Sequence, residues 1–334
     1  MPRSVPALLL LAACAFANPA LAADLLVGNK SADTVWRLSL EDGRRVGAFP
    51  AGPAPHEIVV SPDGRLALVT HYGGAEPGRS VGVLDLETGK VARRIRLDGH
   101  ARPHGIRWLP DGRAVVTVEA TGSLLVLDVQ AGTVESAIEV GEGTGHMVEV
   151  SADGTLAYVS KIADGTVGRV DLAKGEVTHV VESGAGAEGL AVHPLSGDVW
   201  VGNREAGTVT VHDADTLALR YTLQSEGFPI RVVFTPDGRH ALVTNARTAT
   251  LAVFDAETRE RVAEVPLARD GAAYRDTLLG RAALPIGVVA DPAKPRVYVA
   301  ISGADEVAVI DTATWKVIDH WPTGREPDAL AIAP

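Results

Sequence analysis

Residues 55–65 read Pro-His-Glu-Ile-Val-Val-Ser-Pro-Asp-Gly-Arg, and this stretch decides the fold because its parts recur along the chain. The spacings between the second residues of the successive opening phrases are 48, 42, 42, 42, 56 and 42. A period near forty residues, filled with short strands, is typical of the blades of a β-propeller. The second residues of the seven phrases are His56, His104, His146, Glu188, Ile230, Ile286 and Asp328.

Each repeat contains four strand patterns separated by turns. An apolar strand at 58–60 runs into the turn at 61–65, where proline presets one torsion and glycine accepts a positive φ. A second strand follows at 66–70, an alternating third strand at 81–85, and a turn at 87–90 leads into the fourth. The acidic residues that close the third strands are predicted to cap turns, namely Asp85, Asp128, Asp171, Asp213, Asp255 and Asp311.

The two ends of the chain complement each other. Residues 331–334 end where the first strand of a seventh unit reaches its turn, whereas residues 25–29 already read as a second strand. One blade would therefore combine one C-terminal strand with three N-terminal strands, which closes the ring and removes open sheet edges. The sequence predicts an all-β, seven-bladed β-propeller with four-stranded blades.

The overall composition agrees with one globular domain rather than a disordered or membrane-embedded chain. Hydrophobic residues make up 46% of the 334 residues and charged residues 22%, which allows a sizeable core. The formal charge is −11 and basic residues never form a dense run, so nucleic acid and anionic membrane surfaces are poor partners. We expect a monomer whose mature chain has no transmembrane segment.

The first 22 residues have the pattern of an export signal. Arg3 gives a positive start, residues 5–17 are apolar, and Ala20-Leu21-Ala22 is a small-x-small cleavage pattern. We predict a signal peptide at 1–22, a single propeller domain at 23–334, and a periplasmic or secreted protein. Residues 11–14 also resemble a lipoprotein box, so anchoring through Cys14 is the less favoured alternative.

Two further phrases carry a family resemblance. Leu-Val-Thr-Asn at 242–245 and Trp-Val-Gly-Asn at 200–203, each followed by a Val-x-Val-x-Asp-like strand, resemble the YVTN-type β-propeller repeats. The resemblance covers residues 24–334 and implies an exported bacterial propeller, similar to the propellers of haem d1 and nitrous-oxide proteins. It implies little about activity, because such propellers host ligand binders, lactonases, lyases and scaffolds.

The repeat also predicts which residues meet at one end of the ring. The phrase residues lie opposite the Pro-Asp-Gly turns, at the mouth of the central channel, and form an inner ring. The ends of the second strands reach the same face. They form an outer ring of Asn29, His71, Glu119, Lys161, Asn203, Asn245 and Ser302.

Departures from the repeat on this face indicate a functional site. His56, His104 and His146 come from three consecutive blades and Glu188 from the next, so we predict that they bind a transition metal. Imidazole nitrogen and carboxylate oxygen suit zinc, copper, iron, nickel or manganese. His71 and Glu119 would orient the ligands or accept protons as catalytic groups. Lys161, Arg231 and Asp328 would contact a small-molecule ligand, with the two cations orienting an anion.

Several alternatives to a metal enzyme remain open from the sequence. Polar residues often line propeller channels because water fills them, so the histidines could be structural. A tetrapyrrole could bind through one histidine and a few arginines. The protein could instead be a non-catalytic accessory to a periplasmic redox or cofactor-maturation partner, or a metal-assisted lyase or lactonase.

The longest spacing reflects an insertion before Ile286. Residues 269–281 are rich in Ala, Leu and Arg, which permits a short helix bounded by Gly271 and Gly280. The insertion leaves from the face that carries the histidines. A lid or a partner-docking loop is one interpretation, and a passive insertion is the other.

Overall fold

The computed structural model describes residues 23–141 and 144–334, which form seven four-stranded antiparallel sheets arranged as a propeller. The predicted all-β, seven-bladed fold is therefore confirmed. Residues 1–22, where the signal peptide is predicted, lie outside the described residues. Within the described part of the chain, no helix has the length and apolar character needed to cross a membrane.

The strands follow one another blade by blade. Blade 7 receives β1 (Asp24–Asn29), β2 (Thr34–Ser39) and β3 (Arg45–Pro50). Blade 1 comprises β4 (Pro55–Val60), β5 (Leu66–Gly73), β6 (Pro77–Asp85) and β7 (Lys90–Arg96). Blade 2 comprises β8 (Pro103–Trp108), β9 (Ala114–Val118), β10 (Ser123–Asp128) and β11 (Thr133–Glu139). Blade 3 comprises β12 (Gly145–Val150), β13 (Leu156–Lys161), β14 (Thr166–Asp171) and β15 (Glu176–Glu182).

The second half of the ring repeats this order. Blade 4 comprises β16 (Ala187–Val192), β17 (Val199–Asn203), β18 (Thr208–His212) and β19 (Leu219–Gln224). Blade 5 comprises β20 (Pro229–Phe234), β21 (His240–Asn245), β22 (Thr250–Asp255) and β23 (Arg261–Pro266). Blade 6 comprises β24 (Pro285–Ala290), β25 (Arg296–Ile301), β26 (Glu306–Asp311) and β27 (Lys316–Pro322), and β28 (Pro327–Ala333) completes blade 7. Single 3-10 turns occupy Lys30–Ala32, Glu119–Thr121 and Ser302–Ala304.

The ring closes through the pairing of the two chain ends. Strand β28 pairs antiparallel with β1, so that Asp24 lies opposite Ala333 and Leu26 opposite Ala331. The blade order is β28-β1-β2-β3, which is the predicted combination of one C-terminal and three N-terminal strands.

The recurring turns form as their residue types require. In blade 1 the amide of Gly64 donates to the carbonyl of Ser61 at 2.8 Å, and Gly64 has a φ of 71° that other residues resist. Asp85 accepts from the amide of Thr88 at 2.8 Å, and Asp311 accepts from the amide of Thr314 at 2.9 Å. The predicted role of these aspartates in capping turns is therefore confirmed at both positions.

The core lies between neighbouring blades, where the faces of adjacent sheets pack together. Trp200, Tyr158 and Tyr298 are the largest fully buried side chains. Fully burying a large apolar side chain contributes roughly 1.5–3 kcal/mol, so each sheet-to-sheet interface is a substantial part of the stability. A rigid ring of this kind fixes the positions of the residues at the channel mouth.

The insertion is an irregular loop rather than the short helix that its composition permits. Thr277 and Gly280 form an isolated bridge, and the amide of Arg275 donates to the carbonyl of Gly303 at 2.8 Å. Arg275 also pairs with Asp305, and Arg269 pairs with Glu306 at 2.7 Å. These contacts to blade 6 take the place of the local hydrogen bonds that a helix would make.

Candidate metal centre

All seven inner-ring residues line one cavity of about 150 Å³ at the channel mouth. Each is the second residue of the innermost strand of its blade. Pairing with the second strand shifts register at this point, as between Pro55 and Ile58 in blade 1 and between Gly145 and Val148 in blade 3. A local register shift of this kind re-aims a side chain at the end of a ladder. The predicted inner ring is therefore brought together by one repeated backbone irregularity.

His104 occupies the centre of the histidine cluster. Its side chain is buried, with 2% of its surface exposed, and neither ring nitrogen has a hydrogen-bond partner within the described residues. The ring centroid lies 4.1 Å from that of His56 and 3.5 Å from that of His146. Burial, followed by the neighbouring His146 and His56, holds the pKa of His104 well below its ordinary value. His104 is therefore neutral, and one of its ring nitrogens carries a lone pair that could bind a metal ion.

His146 is held between two carboxylates. Its Nδ1 donates to Oε1 of Glu119 at 2.6 Å, and its Nε2 lies 3.3 Å from Oε1 of Glu188. Burial acts to lower the pKa of His146, but Glu119 and Glu188 outweigh it and raise the pKa to about 9. In the absence of an ion, the proton of His146 neutralises part of the carboxylate charge.

Three of these side chains are grouped as metal ligands would be. One donor atom each from His104, Glu119 and His146 lies within 4.8 Å of the other two. Nitrogen and carboxylate oxygen are the ligand types that zinc and its neighbours take, and three protein ligands leave a coordination position open. His104 also fits such a site, because neither of its buried ring nitrogens has a hydrogen-bond partner among the described residues. A buried polar atom without a partner is costly, and coordination of an ion would supply a partner.

His56 and Glu188, which the sequence also assigns to the metal, lie against this group and have other partners. Nδ1 of His56 is 2.9 Å from Oδ2 of Asp328, close enough for charge attraction but not aligned as a hydrogen bond. Nζ of Lys30 lies 3.3 Å from the same Asp328 oxygen. Arg204 Nη1 donates to Oε2 of Glu188 at 2.5 Å.

Arg231 lies at the floor of the cavity, as a buried cation. Its Nη2 donates to Oε1 of Glu57 at 2.6 Å, and its Nη1 lies 3.1 Å from Sδ of Met147. Arg231 and Glu57 also line a second cavity of about 430 Å³ deeper in the channel. The ion pair therefore stands between the histidine cavity and the rest of the channel.

The structure places two predicted site residues away from this cluster. The ring of His71 packs against the backbone of Gly52 and Gly82, and its Nδ1 lies 2.8 Å from Oγ of Ser80. Nζ of Lys161 lies 3.4 Å from Oδ2 of Asp164, and Lys161 does not line the cavity. Glu119 is the outer-ring residue whose side chain contacts the cluster.

Sequence reasoning missed Tyr72. Its hydroxyl donates to Oε2 of Glu119 at 2.6 Å, and its ring lies edge-on to His56 at 5.0 Å. Burial and then the Glu119 carboxylate raise the pKa of Tyr72 to about 12, so the hydroxyl keeps its proton. Tyr72 follows His71 directly, and successive strand residues point to opposite faces. This alternation was the signal in the sequence that could have identified Tyr72, rather than His71, as the residue of this strand that faces the site.

Comparison with known proteins supports the fold. No family model matches the chain. Proteins called uncharacterized protein YncE from Salmonella typhi and Salmonella typhimurium are each 23% identical over 273 residues, or 80% of this chain. The match spans only 64% of the length of these relatives.

Two solved structures have the same architecture. Hydrazine synthase of Kuenenia stuttgartiensis has a TM-score of 0.70 at 20% identity, over 82% of this chain and 88% of that one. A functionally unknown protein from Desulfotomaculum acetoxidans has a TM-score of 0.77 at 15% identity, over 93% and 98%. Similarity at these identities concerns the fold alone, so the function has to be inferred from the site.

Proposed function

We propose that this propeller binds one divalent transition metal ion at the channel mouth through His104, His146 and Glu119. The observation that carries the proposal is His104, a buried neutral histidine that lies beside a second histidine and a carboxylate and whose ring nitrogens both lack a partner among the described residues. A buried polar atom without a partner costs roughly 1–3 kcal/mol, and coordination of an ion would offset that cost. His56 and Glu188 would either bind the ion as further ligands or contact the residues that bind it.

The size of the cavity favours an ion with a small ligand over a macrocycle. Pockets for drug-sized molecules measure roughly 300–1,000 Å³, whereas the space enclosed by the inner ring is about 150 Å³. A position left open by three protein ligands would face this space, as in catalytic zinc sites. The ion would there act as a Lewis acid on whatever small molecule enters.

Metal analysis of the protein, purified without a histidine tag, tests the proposal. We expect near-stoichiometric metal in the native chain, after reloading with zinc where purification has removed it. The double variant His104→Ala/His146→Ala is expected to lose it. The matched control is His100→Ala/His179→Ala, which removes a half-buried and an exposed histidine outside the cavity. Equal metal content in both variants, with circular dichroism showing both folded, would sink the proposal.

We further propose that the protein is exported and acts in the periplasm or outside the cell. Support comes from the sequence pattern of residues 1–22 described above. Intact-mass measurement of the protein from a periplasmic fraction is expected to show a chain beginning at Ala23. A chain that retains residues 1–22 in the cytoplasmic fraction would contradict export, and a lipid-modified Cys14 would favour the anchored alternative.

A further inference from the structure

The cavity has two chemically different sides. Histidines, carboxylates and cations from blades 1 to 4 and blade 7 line one side, and Arg231 of blade 5 joins them from the floor of the cavity. The other side consists of Ile230 and Ile286 from blades 5 and 6, together with Leu278 and Leu279 from the insertion. We call these four residues the apolar side. A ligand that fills the cavity would therefore need a polar end and an apolar end.

The volume of the cavity favours a ligand of few atoms. One water molecule occupies about 30 Å³ of liquid, so about 150 Å³ holds on the order of five water-sized groups. Ile230 and Ile286 are nearly buried, with 5% and 7% of their surfaces exposed. They offer a preformed surface for a short alkyl chain.

The charges around the loaded site favour an anion at the polar end. Lys30, Arg204 and Arg231 face four carboxylates in and beside the cavity, namely Glu57, Glu119, Glu188 and Asp328. With a bound divalent ion, the charges of these seven side chains and the ion would sum to +1. Arg231 is 8% exposed and spends one donor on the thioether of Met147, which is a weak acceptor. Its guanidinium therefore has capacity for a better oxygen acceptor.

We propose that the metal-loaded cavity binds a short aliphatic monocarboxylate. The carboxylate lies on the side of the metal and Arg231, and the alkyl chain packs on Ile230, Ile286 and Leu279. This inference rests on the proposed metal site, because the ion supplies the charge that the anion neutralises. The insertion then contributes to the site, since Leu278 and Leu279 lie at the rim of the apolar side.

Cobalt-loaded protein titrated with formate, acetate, propionate and butyrate tests the inference, because the visible bands of cobalt report changes at the metal. Burial of each added methylene is expected to tighten binding about fourfold until the cavity is full. Ile286→Ala is expected to flatten this dependence on chain length. Ile318→Ala, which truncates an exposed isoleucine on β27, is the matched control.

The outcomes separate the inference from the proposed function. Cobalt bands that respond to none of the four acids would overturn the carboxylate assignment, and equal affinity for all four would overturn the placement of the alkyl chain on the apolar side. Both outcomes would leave the metal site intact. Absence of cobalt bands in folded protein would overturn the metal site and the carboxylate assignment together. Retention of the chain-length dependence in Ile286→Ala would also contradict the inference, because the alkyl chain would then lie elsewhere.

Discussion

His146 donates through Nδ1 to Oε1 of Glu119 at 2.6 Å, and this hydrogen bond joins the inner strand of blade 3 to the end of blade 2. A carboxylate only accepts, so the proton on Nδ1 is fixed by its partner. Glu119 thus determines both the orientation of the His146 ring and the charge beside it. The hydroxyl of Tyr72 donates to Oε2, the other carboxylate oxygen of Glu119.

Replacing Glu119 with glutamine is expected to weaken metal binding strongly. Glu119→Gln keeps the shape of the side chain but removes the charge that faces the ion and His146. Loss of a residue that holds a metal ligand by a hydrogen bond, as Glu119 holds His146, typically costs about 10–100-fold in metal affinity. Competition with a chromophoric zinc chelator would measure the change. Glu139→Gln, on the exposed end of β11, controls for charge removal and is expected to bind as the native chain does.

Removal of the Tyr72 hydroxyl is expected to have a smaller effect in the same direction. Tyr72→Phe leaves the ring beside His56 but releases Oε2 of Glu119. We expect affinity for zinc to fall by a few-fold and the thermal midpoint of the metal-free chain to change little. Tyr221→Phe on β19 is the control, because that ring is partly exposed. Unchanged affinity in Tyr72→Phe would show that Glu119 holds its position without the hydroxyl.

The fold could be predicted from the sequence because each blade repeats the same turn and strand chemistry. Proline and glycine in residues 61–65 and the period of the phrase indicate the blades, and the patterns at both ends indicate closure. The inner ring followed from the same repeat, so the convergence of His56, His104 and His146 could be predicted as well.

The partners within the site could not be predicted from the position in the repeat alone, because they depend on one-residue differences in strand register. His71 and Tyr72 are neighbours in the sequence, yet only Tyr72 contacts Glu119. Glu119 begins a 3-10 turn rather than continuing its strand, and this change of direction accompanies its contact with His146. Lys161 stays in a regular strand and pairs locally with Asp164. Repeat position alone does not encode these differences.

The stability of the protein is expected to fall as the pH drops, in part because of His71. Burial, followed by the charge of Arg94, lowers the pKa of His71 to about 4 in the folded chain, against 6.5 for the free side chain. Above pH 6.5 neither state binds the proton. Between about 6.5 and 4 only the unfolded state binds it, so stability is lost as the pH falls, by up to about 1.4 kcal/mol per pH unit.

His71→Gln is expected to flatten this part of the pH profile, because glutamine does not titrate. Denaturant unfolding of the metal-free chain at several pH values between 4 and 7 would measure the slope. The control is His179→Gln, which replaces an exposed histidine on β15 and should keep the native slope. If the slope in His71→Gln equalled that of the native protein, another group would have to account for the acid sensitivity.

Closure of the ring by β28 is expected to be essential for a stable monomer. Deleting residues 327–334 removes the strand that pairs with β1 and leaves the backbone groups of Asp24–Asn29 at an open edge. An unpaired edge of this kind is a template for association with another chain. We expect a lower thermal midpoint and concentration-dependent oligomers, measured by calorimetry and by light scattering during size-exclusion chromatography. Removal of Pro334 alone leaves the strand pairing in place and is the matched control.

A truncated chain that stays monomeric with the native thermal midpoint would show that six complete blades and three strands hold the ring by themselves. Partial recovery of the midpoint on addition of a synthetic peptide of residues 327–334 would instead support strand pairing as the cause, because the peptide can occupy the vacant edge.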